Sequence, residues 1–220
     1  MIHESVQSLI YIEKEVKSIS INKESSKLPK IIAVSKTFTL DKVLPLINYG
    51  HLDFGENKVQ EAIKKWTDIK NKKPQIQLHM IGKLQSNKVK FAVKLFDYIH
   101  SVDNEKLAKK ISEEQLKLKK NIKIFIQINL GNETQKSGIH PGSIGNFLNY
   151  CEKLNLNVIG FMCIPPEDSD SKIFFEQMTL LAKKYNLKEL SMGMSSDYLD
   201  AVRLNSSYLR IGSKIFGKRI

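Results

Sequence analysis

The sequence predicts an α/β fold: a single (β/α)8 TIM barrel with an extra N-terminal helix, formed by residues 1–220 as one domain. Three observations carry this expectation. Short runs rich in Ile, Val and Phe recur along the chain, eight in all, and read as strands buried on both faces, as in a parallel sheet covered by helices. Segments with apolar residues at helical spacing separate them, and strict alternation of the two implies parallel strands with crossover helices. No composition shift or linker divides the 220 residues, a length at the short end for eight such units. An open doubly wound sheet of the same units is the competing architecture.

Ile2, Val6, Leu9, Ile10 and Val16 form the apolar stripe of the first helix, residues 2–19. Residues 22–30, polar and containing Pro29, read as a loop. Strand one is the run Ile31-Ile32-Ala33-Val34-Ser35, ending at Lys36. Thr39 is placed to cap a helix through Val43 and Leu46 that Gly50 closes, with Pro45 arguing against a long one. Residues 51–56 form strand two, and Val59, Ala62, Ile63 and Trp66 the helix after it. Strand three, residues 76–81, stops at Gly82, and residues 86–95 form a short basic helix. Strand four covers residues 97–102, with Asp103 capping a helix through Leu107, Ile111 and Leu118. Residues 122–129 are the clearest strand, and residues 131–138 a polar loop. Pro141 suits the first turn of a helix through Ile144, Phe147 and Leu154. Strand six, residues 156–162, ends before Pro165-Pro166, and residues 173–185 are helical. Strands seven (residues 187–192) and eight (residues 208–211) flank a short helix.

Composition narrows the function. With 41% hydrophobic and 26% charged residues the chain is of the globular class. It has no apolar run of membrane-spanning length and no basic-then-apolar start of a signal peptide. Its two cysteines, Cys151 and Cys163, form no CxxC or metal-ligand pattern, so a cytoplasmic protein with reduced thiols is expected. The net charge of +12 raises a nucleic-acid reading. The lysines, however, are spread among acids, as in Asp103-Asn104-Glu105-Lys106, and no basic run is interleaved with aromatics, so no nucleic-acid partner is expected.

In a barrel, ligands sit at the C-terminal ends of the strands, and phosphate often in the loops after strands seven and eight. Strand one delivers Lys36 there. Half-buried, its amine is easier to deprotonate than a free lysine of pKa about 10.4, and a neutral amine attacks an aldehyde. Gly193 and Gly212 follow strands seven and eight, where bare backbone amides and helix starts suit an oxyanion, and Ser191 and Ser207 add hydroxyls. An aldehyde-trapping lysine with a phosphate cradle suggests pyridoxal 5'-phosphate (PLP). Arg210 is then placed to face the ring nitrogen, donating a hydrogen bond and leaving that nitrogen unprotonated. Other motifs fail: Gly82-Lys83 lacks the first glycine of a P-loop, and Gly193-Met194-Ser195-Ser196-Asp197 is not a nucleophile elbow. The five histidines show no HExxH spacing, and His79 and His100 are read as barrel-packing or supporting residues rather than metal ligands.

The stretches Ala33-Val34-Ser35-Lys36-Thr37, Phe54-Gly55-Glu56-Asn57, His79-Met80-Ile81-Gly82-Lys83-Leu84-Gln85, His100-Ser101-Val102-Asp103, Ser191-Met192-Gly193-Met194-Ser195 and Arg210-Ile211-Gly212-Ser213 together resemble the PLP homeostasis protein family, whose barrel is similar to the N-terminal domain of alanine racemase. The resemblance implies that Lys36 forms the Schiff base. It also implies that Asn57 lies near the ring, that Ser191, Ser207 and the Gly212 amide hold the phosphate, and that Arg210 faces the ring nitrogen. Lys58, Leu78, Asn205 and Ser207 depart from the family's usual residues. The function implied is a PLP carrier or buffer without robust catalysis, serving apo-enzymes, with a monomer favoured over a dimer. The alternative is a low-activity amino-acid racemase. Alanine racemase uses a second, β-rich domain, for which this chain, ending at Ile220, leaves no room.

Overall fold

A computed structural model describes residues 2–20, 27–131 and 137–217. Most of the loops expected at residues 22–30 and 131–138 lies outside the described residues. Among the described residues eight strands pair in chain order, all parallel: β1 (Lys30–Val34), β2 (Asp53–Glu56), β3 (Gln77–Met80), β4 (Tyr98–Val102), β5 (Lys123–Gln127), β6 (Asn157–Met162), β7 (Glu189–Ser191) and β8 (Tyr208–Ile211). β8 pairs back onto β1, with Ile32 opposite Arg210 and Ala33 opposite Ile211, so the sheet closes into a barrel and the open-sheet alternative falls. Between the strands run α2 (Leu40–Tyr49), α3 (Val59–Lys72), α4 (Val89–Leu95), α5 (Glu105–Lys117), α6 (Ile144–Lys153), α7 (Ser171–Lys184) and α8 (Tyr198–Arg203). The extra helix α1 (Glu4–Ser20) precedes them and α9 (Ser213–Phe216) follows β8.

Alternation along each strand divides the core in two. Outward residues such as Phe54, Leu78, Ile99 and Leu209 meet the helices in one continuous apolar shell. Inward residues Ile32, Tyr98, Phe125, Met162 and Tyr208 fill the barrel itself. α1 buries Leu9, Ile12 and Val16 and packs on α2, α8 and α9. Its Glu15 accepts a hydrogen bond from the Tyr198 hydroxyl of α8, and Lys214 Nζ of α9 donates to the same hydroxyl at 3.0 Å.

Local chemistry adjusts several boundaries. Asn104, not Asp103, caps α5: its Oδ1 accepts from the Leu107 amide at 2.9 Å, while Asp103 Oδ1 accepts from Asn104 Nδ2. Thr39 precedes α2 in extended conformation without a side-chain cap bond, Pro45 sits inside the helix, and Gly50 ends it at φ 101°. Pro141 opens a short 3-10 turn ahead of α6. β7 is three residues long and stops at Ser191, earlier than its apolar run suggests.

Candidate functional site

β1 ends at Val34, and Ser35-Lys36-Thr37 turn out of the strand, closed by Phe38 N donating to Ser35 O at 3.2 Å. A buried polar cluster clamps Ser35 from outside the barrel. Its hydroxyl donates to Glu56 Oε1 at 2.7 Å, and its carbonyl accepts from Lys65 Nζ at 2.7 Å. The same carboxylate oxygen, fully buried, accepts from Lys65 Nζ and Trp66 Nε1, each at 2.9 Å. Thr37 adopts φ 69°, a left-handed conformation that costs a β-branched residue on the order of 1–3 kcal/mol. Its amide donates to Glu61 Oε1 of α3 at 2.5 Å. Between Ser35 and Thr37, Lys36, half-buried, stands just past the C-terminal end of β1, on the rim of the barrel.

Asn57 follows β2 at the same rim. Its backbone lies against Gly82, where a Cβ would come within 2.5 Å of Asn57 O, so the loops after β2 and β3 touch through bare backbone. Beside them a cavity of about 300 Å³ is lined by Asn57, Gln60, Met80 and the lysines Lys58, Lys83 and Lys88. A larger cavity, about 990 Å³, opens between α5 and α6 at the N-terminal end of β6, away from the strand C-terminal ends.

The loops after β7 and β8 meet on that rim too. Gly193, at φ 92°, lets the chain pass within reach of Ala201 and Leu209, where a Cβ would be 2.5 Å from Ala201 Cβ. Beyond it, Ser195 Oγ lies 3.3 Å from both the Gly212 and Lys214 amides at the start of α9. An oxygen thus already sits where two N–H groups point. Ser195 lies in the strand-seven stretch singled out in the sequence, where no role is assigned to it.

The other expected residues fall at two different depths. Arg210 is buried in the barrel: Nη1 donates to Ser191 O at 2.6 Å and to Ser191 Oγ at 2.7 Å, and Nη2 donates to Cys163 O at 2.9 Å. Ser191 therefore orients the arginine, and its hydroxyl is also 2.8 Å from His100 Nδ1; the expected phosphate contact gives way to this interior one. Ser207 is a correction. It precedes β8 at the base of the barrel, where its Oγ accepts from the Leu190 amide at 2.9 Å. Gly212 lies five residues beyond it, about 16 Å along an extended chain, so Ser207 cannot share a cradle with that amide. Asn205, standing for a usual glycine, adopts the φ of 65° that such a turn requires, which asparagine tolerates.

A closed parallel barrel with a lysine after the first strand, an amide cradle after the last two and a buried arginine between defines the class. In agreement, residues 18–219 match the family "Alanine racemase, N-terminal domain". Two relatives called pyridoxal phosphate homeostasis protein are similar along most of their length. That of Pasteurella multocida is 32% identical, covering 97% of each chain, and that of Vibrio cholerae is 37% identical, covering 86% of this chain and 85% of its own. The solved structure of PipY from Synechococcus elongatus with PLP bound superposes with a TM-score of 0.81 at 32% identity, over 94% of this chain and 100% of that one. The chain belongs to the pyridoxal phosphate homeostasis protein family.

Proposed function

We propose that this chain holds PLP on Lys36 and carries or buffers it in the cytoplasm, as a monomer, for apo-enzymes that need it, without robust turnover of its own. The observation that carries the reading is convergence at one barrel mouth. Lys36 follows β1, the Ser195–Gly212–Lys214 cradle follows β7 and β8, and Arg210 lies below, level with Ile32 of β1. Bound PLP supplies an aldehyde that a lysine amine captures covalently. Lys36 would provide that amine, the cradle amides and Ser195 the phosphate contacts, and Arg210 a proton donor toward the ring nitrogen. Asn57, at the rim after β2, would lie beside the ring.

Two tyrosines near the matched loops support a carrier over a racemase. Racemisation needs an acid or base on each face of the substrate carbon, and a missing one costs about 10²–10⁴-fold. The Tyr198 hydroxyl is engaged with Glu15 and Lys214, and Tyr208 opens β8 at the base of the barrel against Tyr98. An arginine at the ring nitrogen further weakens the ring as an electron sink. Incubation with single-enantiomer amino acids in deuterated water tests this: loss of chirality or α-proton exchange at on the order of 1 per second or faster would make the racemase reading the better one. Titration with PLP and with pyridoxal tests the cradle. Pyridoxal, lacking the phosphate, is expected to bind at least about tenfold more weakly, and equal affinities would remove the cradle.

A further inference from the structure

Below Arg210 the barrel interior is polar along one continuous line. Ser191 Oγ, which accepts from Arg210 Nη1, lies 2.8 Å from His100 Nδ1; His100 Nε2 lies 3.0 Å from His79 Nδ1; and His79 Nε2 lies 3.0 Å from Asp53 Oδ1. Asp53 is the first residue of β2, at the base of the barrel, where Lys30 Nζ of β1 approaches it at 3.5 Å. Both histidines are fully buried. Their rings are held by stacking, His79 on Tyr98 at 4.2 Å between centroids and His100 on Phe125 at 4.3 Å.

The two ends fix the direction of every proton between them. A guanidinium only donates and an ionised carboxylate only accepts. From the carboxylate end, His79 must donate from Nε2, which leaves its Nδ1 as acceptor. His100 must then donate from Nε2 and accept on Nδ1, and the Ser191 hydroxyl must donate to His100 while accepting from Arg210. Every member is satisfied with both imidazoles neutral. Burial depresses the pKa of His79 and, more strongly, of His100, in keeping with neutral rings.

We propose that this one-way chain makes His79, His100 and Asp53 positioning residues for Arg210, so that a carboxylate at the base of the barrel sets how the guanidinium is presented at the cofactor mouth. It rests on the PLP reading only for what Arg210 faces; the chain itself belongs to the protein alone. None of the three residues is in the mouth. Two rings locked by stacking transmit orientation where a single water or a flexible side chain would not.

The test begins with the unmodified, cofactor-free chain. Nitrogen-15 NMR of labelled histidine is expected to show His79 and His100 both neutral with the proton on Nε2; a proton on Nδ1 of either ring overturns the chain. PLP titration of variants follows. His100→Leu cuts the line and is expected to weaken PLP binding about tenfold, the loss of one charge-assisted hydrogen bond, and to change the absorbance of bound PLP. His100→Gln, whose carboxamide both accepts and donates, is expected to recover most of each. Wild-type affinity and spectrum in a folded His100→Leu protein overturn the positioning role. Failure of the wild-type chain to bind PLP overturns the proposed function instead, while the histidine tautomers still decide whether the chain exists.

Discussion

Lys36 owes its place to the residues on either side of it. Ser35 is fixed by the Glu56 carboxylate and Lys65 behind the sheet, and Thr37 is bent into a left-handed turn whose amide meets Glu61. These contacts fix the backbone on both sides of Lys36 at the barrel rim. On the same rim, after β7 and β8, a single hydroxyl distinguishes the cradle. Ser195→Ala is expected to weaken PLP binding by at least about tenfold, since hydrogen bonds to charged groups are worth about 1.5–3 kcal/mol. Ser207→Ala, at the base of β8, is expected to leave affinity unchanged while lowering stability by about 1 kcal/mol through the lost Leu190 contact. PLP titration of the two variants side by side checks the assignment, and the opposite ranking would return Ser207 to the site.

Elements place these residues through a few contacts between strand and helix. The Glu56–Lys65–Trp66 cluster ties β2 to α3, with Glu56 fully buried and the Lys65 side chain 7% exposed. Glu56→Ala removes the nearer of the two carboxylates on that lysine, leaving Glu61 Oε1 at 3.6 Å, and strips Ser35 and Trp66 of their buried acceptor, so a loss of about 3 kcal/mol in urea-unfolding stability is expected. Between β6 and β7, a Cβ on Gly160 would lie 1.8 Å from Glu189 O, so Gly160→Ala forces the two strands apart and is expected to cost about 3 kcal/mol, read in the same assay. The strands, their order and the position of Lys36 just after the first of them were legible because β-branched runs and their helical spacers repeat without interruption. Depth within the barrel was not. Ser191 stands in the run Leu187–Met192, but pairing ends at Ser191, opposite Tyr208, which turns its hydroxyl to Arg210 rather than outward. Ser207, by contrast, directly precedes the run 208–211, so chain direction already puts it at the base of strand eight, and the phosphate role expected of it conflicts with that position. His79, His100 and Asp53 are separated by 21 and 26 residues in sequence, and only the pairing of β2, β3 and β4 aligns them, while closure of the barrel brings Ser191 of β7 to His100.

At the scale of the whole molecule, the helices sheathe the barrel, and the polar residues inside it link stability to pH. Among the described residues no group of histidine, cysteine and acidic side chains is arranged for a metal, and no helix is long and apolar enough to cross a membrane. His51, His79 and His100 all have pKa values lowered from 6.5, chiefly by burial. Below about pH 6.5 the unfolded chain therefore takes up protons that the native barrel refuses. Stability is fully present above that pH and falls as pH drops below it, by up to about 1.4 kcal/mol per pH unit for each histidine. Asp53, whose pKa is lowered through its bond to His79 against the cost of burial, extends the loss into more acidic solution. Urea-unfolding free energies measured from about pH 7.5 to about pH 5 should trace this decline, and a flat profile would mean the interior histidines are not held neutral. The central claim is more direct: one lysine, Lys36, takes the cofactor. Borohydride reduction of the PLP-loaded protein followed by peptide mass spectrometry is expected to place the pyridoxyl group on Lys36, whereas a label on another lysine, or on none, would contradict the account.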